Sequence, residues 1–169
     1  DRTGMKEGIE GLTERVGVLQ SRLWLTYRDA GMPPSGVSEA LLPFFHYLQR
    51  CTSRDDRLIM THLYPDVFVM AERGFAGGHE AYREGFYTSA ADEEQMLMRL
   101  RRQSVPFVLI FAAQERQFRD NFDRLASYVD ERYQPMTSFP IEGGAVGVLV
   151  QENRAAVRLD QQTGWPCFK

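Results

Sequence analysis

The chain has 169 residues, enough for one domain that removes roughly 70% of its unfolded surface from water. Its hydrophobic share of 43% and charged share of 25% are ordinary globular values and exclude disordered and fibrous classes. The net charge of −3, with Lys and Arg spread along the chain, argues against nucleic acid as a partner, because phosphate binding needs a concentrated basic face.

Residues 1–10 are polar and glycine-containing and read as a frayed lead-in. Over 12–30 the apolar positions Leu12, Val16, Leu19, Leu23 and Trp24 or Tyr27 recur at three and four, the spacing of an amphipathic helix. Gly31 and Pro33-Pro34 end it. A second helix is expected from Ser38 to Cys51, with Pro43 tolerated near its first turn, so that 11–56 holds two N-terminal helices. Arg57 to Thr61 has the length of a buried strand. The run 67–71 has strand propensity, but Pro65 and Asp66 suit a helix start, and a short helix is the reading adopted. Ser89 and Asp92 form a capping-box pair opening a helix to Gln103. The apolar run 105–112 reads as a strand covered on both faces of a mainly parallel sheet. Phe118, Phe122, Leu125, Ala126 and Val129 form one stripe of a single helix over 114–132. Two strands joined at Glu142-Gly143-Gly144 make a hairpin. The tail over 151–169 is irregular, with Trp165 to Phe168 tucked back onto the body. The expected fold is one α/β domain with its core at 57–150. It is a Rossmann-like three-layer sandwich: a mainly parallel central sheet, an antiparallel hairpin edge, and helices on both faces.

The stretch from Arg57 to Phe86 carries the candidate site. His62 ends the first strand on the side where open α/β sheets place ligands. Thr61, His62, Asp66, Arg73, Gly77, Gly78 and His79 are the candidate ligand-binding residues, around the loop Gly74-Phe75-Ala76-Gly77-Gly78. That loop is neither G-x-G-x-x-G nor a P-loop, and plain turn chemistry is its simpler reading. The three histidines, His46, His62 and His79, lack metal-site spacing, and no metal or cofactor is expected. There is no G-x-S-x-G elbow, and Asp92, Glu93 and Glu94 read as helix N-terminal charges, so no catalytic residue is assigned. Cys51 and Cys167 exclude a zinc knuckle by spacing. They are either two buried thiols or one long-range disulfide of an oxidising compartment. No apolar run approaches the roughly 20 residues of a membrane span. The opening Asp1-Arg2-Thr3-Gly4, without an initiator Met, reads as the start of a piece cut from a longer chain.

Over residues 41–133, several segments together resemble a known family. They are the helix end Y-L-Q-R-C-T, the strand R-L-I-M-T, the Tyr-Pro-Asp helix start, the loop R-G-F-A-G-G, then V-P-F-V-L-I and F-R-D-N-F-D-R-L-A-S-Y-V-D-E-R-Y. The pattern is similar to the soluble domain that follows the last membrane helix of polytopic bacterial glycosyltransferases of the GT-C type, which use lipid-phosphate-linked sugars. The resemblance implies an extracytoplasmic (periplasmic) accessory domain. Its partners would be the membrane-embedded part of its own parent chain and a lipid-linked sugar or acceptor. The family's catalytic acid lies in a loop between membrane helices that this chain lacks, so the isolated domain is expected to transfer no sugar. The resemblance also favours the helix after Pro65 and a Cys51–Cys167 disulfide. The other reading is a free-standing Rossmann-like module that binds a nucleotide or phosphorylated ligand near His62 and the glycine loop.

Overall fold

A computed structural model of the protein describes residues 36–80 and 82–169; the helix expected over 12–30 lies outside them. The helix expected from Ser38 to Cys51 is two, α1 (Gly36–Ala40) and α2 (Leu42–Cys51). Pro43 stands in the first turn of α2, where its missing amide costs nothing, and that new start is what divides the run. β1 (Arg57–Met60) leads to α3 (Pro65–Ala71), the helix chosen over a strand. Pro65 occupies its first turn, and Glu72, left-handed at φ 53°, closes it by donating its amide to Phe68 and Val69 carbonyls. A two-residue strand, β2 (Gly74–Phe75), lies inside the glycine stretch that read as pure loop. Next come α4 (Ala90–Leu100), where Ser89 Oγ accepts the Asp92 amide proton, and β3 (Phe107–Phe111), buried throughout. α4 stops three residues before the expected Gln103.

The helix expected over 114–132 is also two, α5 (Ala112–Asn121) and α6 (Asp123–Arg132), broken at Phe122, which sits at φ −134°, ψ 59°. The stripe of apolar residues was read correctly, since Phe118, Phe122, Leu125, Ala126 and Val129 are all buried in one cluster. What periodicity does not reveal is a cap supplied from another element. Glu93 of α4, 3% exposed, accepts the amides of Arg124 (3.2 Å) and Leu125 (3.1 Å) with one carboxylate oxygen. A continuous helix would commit those donors to its own previous turn. Burial pushes the Glu93 carboxyl above its ordinary range, while the Leu125 and Arg124 amides oppose that shift. Glu93→Ala is expected to cost about 1–3 kcal/mol, the range for a buried charge-assisted cap, and Glu93→Gln less; urea midpoints of the two variants check this.

β4 (Tyr133–Ile141) and β5 (Gly144–Gln151) form the expected hairpin, and β6 (Arg158–Leu159) pairs antiparallel with β7 (Pro166–Cys167) in the tail. The tail is therefore more ordered than the irregular segment expected. The main sheet runs β2-β1-β3-β5-β4. β1 is parallel to β2 and β3, whereas β5 is antiparallel to β3 and β4. The sheet is thus mixed rather than mainly parallel, because the hairpin inserts its second strand beside β3 and so reverses direction there. β4 is left at the edge, where Pro135 and Pro140 remove two ladder donors, a composition suited to an unpaired edge.

Successive residues of a strand face opposite sides, and the core divides accordingly. Leu58, Met60, Phe107, Leu109 and Phe111 join Val146, Val148 and Val150 in a cluster with α2 and α3 residues such as Phe44, Leu48 and Val67. Ile59, Val108 and Ile110 join the other cluster, with Met96, Leu100, Phe118 and Leu125 from the later helices. Each fully buried side chain of this size contributes about 1.5–3 kcal/mol, so β1, β3 and β5 are the most firmly held strands of the sheet, while the two residues of β2 are exposed.

The tail is fastened to α2. Cys51 and Cys167 form a disulfide with Cα atoms 4.3 Å apart. Phe168 donates its amide to the Cys51 carbonyl at 2.7 Å, and the Tyr47 hydroxyl donates to the Pro166 carbonyl. Arg50 grips buried Asp160 bidentately, Nε to Oδ1 at 3.2 Å and an Nη to Oδ2 at 3.0 Å. The Arg50 hydrogen bonds, helped by Thr163, lower the Asp160 carboxyl to about 2 against burial. A depressed carboxyl stabilises the fold above its unfolded value, near 3.9, and that contribution is lost as pH falls towards 2. Stability measured between pH 5 and 2 should therefore fall more steeply for the native protein than for Asp160→Asn.

Candidate functional site

β1, β2 and β3 are parallel, so their carboxyl ends share one edge of the sheet, and the chain leaves β1 towards β2 but continues on its other side at β3. Such a reversal opens a crevice at the carboxyl edge. The opposite edge is tied shut: Asp56, 2% exposed, accepts from the Ser53 amide (2.7 Å), the Ser104 hydroxyl and Arg154 (3.1 Å).

At the crevice itself the predicted residues serve the fold. Thr61 is buried, and its Oγ1 accepts the Phe111 amide at 3.0 Å, bridging β1 and β3. His62 is half-buried, its ring 5.1 Å from Tyr64 and 6.1 Å from Phe111, while Tyr64 stacks on Phe111 at 4.8 Å. These rings fill the space between the two strand ends. Burial, and then the charge of Arg83, holds the His62 imidazole below its ordinary value, a shift that favours the uncharged ring.

The glycine loop behaves as a turn packed on a helix. Gly77 has φ 69° and Gly78 φ 85°, and a side chain on Gly77 would meet Met96 Cγ at 2.8 Å, one on Gly78 Arg99 at 2.5 Å. The Gly77 amide donates to Gln103 Oε1 at 2.8 Å. The left-handed conformation favours glycine at both positions, the close approach of Met96 adds to this at Gly77 while the Arg99 tip could move aside at Gly78, and the Gly77 amide does not face an empty cradle. Arg73 is 6% exposed and its guanidinium is wholly engaged by carbonyls and Thr52, holding together the ends of α2 and α3. Asp66 sits in the first turn of α3, as its charge favours. His79 is 9% exposed with its ring 4.3 Å from Tyr87. Burial, then Arg99, lowers its imidazole, with Glu80 and Asp92 opposing.

The open space lies beside this set rather than within it. Leu63, next to His62, and Glu80, next to His79, face a pocket of about 110 Å³ closed by Arg83, Phe86 and Tyr87. The residues that follow the two candidate histidines thus line one small pocket, from the loops after β1 and β2. Phe86 is 63% exposed and Tyr87 55%, and Tyr87 carries a left-handed backbone at φ 55°, a conformation a bulky residue adopts at a cost of order 1–3 kcal/mol. Arg83, Phe86 and Tyr87 were missed from sequence because R-E-G-F-Y-T-S has neither helix nor strand period; the adjacent aromatic pair beside an arginine was its one signal. The pocket is too small for a nucleotide, whose sites run to roughly 300 Å³ or more, and suits a single compact group.

A larger groove, about 580 Å³, lies over the hairpin, with Ala145, Gly147 and Leu149 on its floor and Glu115, Arg119 and Asp130 on its wall. Arg119 is already held there by Glu115 at 3.0 Å and by Asp130 at 2.8 Å, so the wall offers no uncommitted cation. None of the described helices is long and apolar enough to cross a membrane. No family model, curated protein or solved structure matches the chain.

Proposed function

We propose that the chain is a non-catalytic extracytoplasmic binding module, a Rossmann-like three-layer sandwich in plan, that holds a phosphate-sized anionic group at its carboxyl edge. The observation that carries this reading is the pocket in which Arg83 faces Leu63, Glu80, Phe86 and Tyr87, with the His62 imidazole near enough for the charge of Arg83 to act on it. Arg83 supplies the charge and planar donors that match a phosphoryl group; His62 adds a further donor or acceptor nearby; Phe86 and Tyr87 give the pocket apolar walls, and the Glu80 carboxylate opposite limits it to a group that Arg83 can hold away from that charge. Placement outside the cytoplasm is supported by the buried Cys51–Cys167 disulfide, a bond that persists in oxidising compartments. Together with the resemblance noted above, this favours an accessory domain of a membrane glycosyltransferase, packed on the membrane part of its parent or assisting acceptor binding.

Calorimetric titration with pyrophosphate should give saturable binding. Arg83→Ala should weaken it about tenfold or more, the scale of one charge-assisted contact, and His62→Ala by less, because that ring favours its uncharged form. Gly77→Val is uninformative here, since it would collide with Met96. A flat titration, or equal affinity in Arg83→Ala, would overturn the assignment.

A further inference from the structure

We propose that the groove over the hairpin binds a planar aromatic amine, its ring flat on β5 and its ammonium group against Glu115 and Asp130. This goes beyond the anion site and does not depend on it. The groove holds about 580 Å³, within the roughly 300–1,000 Å³ of small-molecule sites. It exists because the two faces of β5 are covered differently. Val146, Val148 and Val150 are buried in the cluster with α2 and α3, whereas Ala145, Gly147 and Leu149 on the other face stay half-buried.

Gly147 is the residue that keeps the floor open. It lies in the interior of β5, paired with Ile110 on one side and Ser138 on the other, where glycine weakens a strand. Its backbone is not left-handed, and the bulge of the hairpin lies elsewhere, between Pro135 and Thr137. Among the described residues, a Cβ added at Gly147 would meet only the Ile110 carbonyl oxygen, at 3.8 Å, an ordinary contact. Neither its conformation nor the packing around it therefore demands glycine. Close approach of a ligand is the use of a mid-strand glycine that these facts leave, and a bare peptide plane gives a planar ring a flat seat.

The wall sets the charge of that ligand. Glu115, Arg119 and Asp130 are the charged residues of the lining, and together they carry one net negative charge. Arg119 donates Nε to Glu115 Oε1 at 3.0 Å, and its two Nη to Asp130 Oδ2 and Oδ1 at 2.8 and 3.2 Å. Its fork is thus used up, and an incoming carboxylate or phosphate finds no donor pair there. The carboxylates keep acceptor capacity: among the described residues Glu115 Oε2 accepts no hydrogen bond, and each carboxylate oxygen has two lone pairs. An ammonium group supplies three donors and the missing positive charge, so the apolar floor and the acidic wall together select an amine on a flat apolar body.

The test is an NMR titration of the full chain with tryptamine, followed at the Ala145 and Gly147 amides. Saturable shifts at millimolar ligand are expected. Indole-3-acetate, the same ring with the opposite charge, should bind about tenfold more weakly or less still. Gly147→Val should keep a urea midpoint no lower than native, because its side chain enters open space and valine suits a strand, yet lose about tenfold or more in tryptamine affinity. Glu115→Gln leaves the floor intact and Arg119 on Asp130; it should weaken tryptamine about two- to fivefold, the scale of a partly exposed ion pair, and narrow the preference over indole-3-acetate. That variant carries the test if Gly147→Val does not fold. No shift at Ala145 and Gly147, equal affinity for the two indoles, or native affinity in either folded variant would overturn the proposal.

Discussion

Replacing Arg73 by Met should destabilise the domain by about 3–5 kcal/mol, the range for removing one partner of a buried, fully bonded charge. The side chain donates to Leu48 and Thr52 carbonyls at 2.9 and 3.2 Å and to Thr52 Oγ1 at 2.8 Å. It also donates to the carbonyls of Ala71 at 3.2 Å and Glu72 at 2.9 Å. These carbonyls lie in the last turns and C-caps of α2 and α3, where a helix leaves carbonyls short of partners, and a cation there is further favoured by both helix dipoles. Met would fill much of the volume and remove the guanidinium from the Thr52 and Ala71 carbonyls, while the Leu48 carbonyl would keep the Thr52 amide and hydroxyl and the Glu72 carbonyl belongs to an exposed residue. Arg73→Lys keeps the charge but not the fork, and should recover less than half of the loss. Guanidinium unfolding of the three proteins decides the matter; a Met variant within 1 kcal/mol of native would mean the carbonyls find water instead.

Opening the disulfide should have the next largest effect. A cross-link spanning 116 residues restricts the unfolded chain by about 4–5 kcal/mol in the loop-entropy description, with 2–5 the usual cost of losing such a bond. Trp165 packs its ring 5.1 Å from Tyr47 and 6.2 Å from Phe139, and this packing depends on the tail being fastened. In a Trp24→Phe background, reduction should lower the denaturation midpoint and make the Trp165 emission easier to quench. An unchanged midpoint would show that the Arg50–Asp160 grip and the Phe168 amide suffice without the bond.

Much of the fold was legible because it rests on local chemistry. Pro65 and Asp66 start α3, Ser89 and Asp92 start α4, and Glu142-Gly143 turns the β4–β5 hairpin, each through residues adjacent in sequence. The failures have a common cause, a partner distant in sequence. The break at Phe122 is set by Glu93, the two-residue β2 exists only because β1 lies beside it, and the mixed sheet follows from where the hairpin inserts. The site shows the same division. That His62 would stand at the carboxyl edge followed from its place after a strand. That Thr61, Arg73 and Gly77 are occupied in holding the fold, and that Arg83, Phe86 and Tyr87 close the pocket, needed three-dimensional neighbours. Type and position in sequence suggest which side chains can carry chemistry; only packing shows which of them are already committed.

The most direct test of the binding reading is a pyrophosphate titration followed by NMR at the side chains, with Arg83 Nε and the His62 ring as reporters and Arg119 Nε as control. Saturable shifts at Arg83 and His62, with Arg119 still, are the predicted result. Shifts at Arg119 alone, or at none of the three with millimolar ligand, would contradict an anion site at the carboxyl edge.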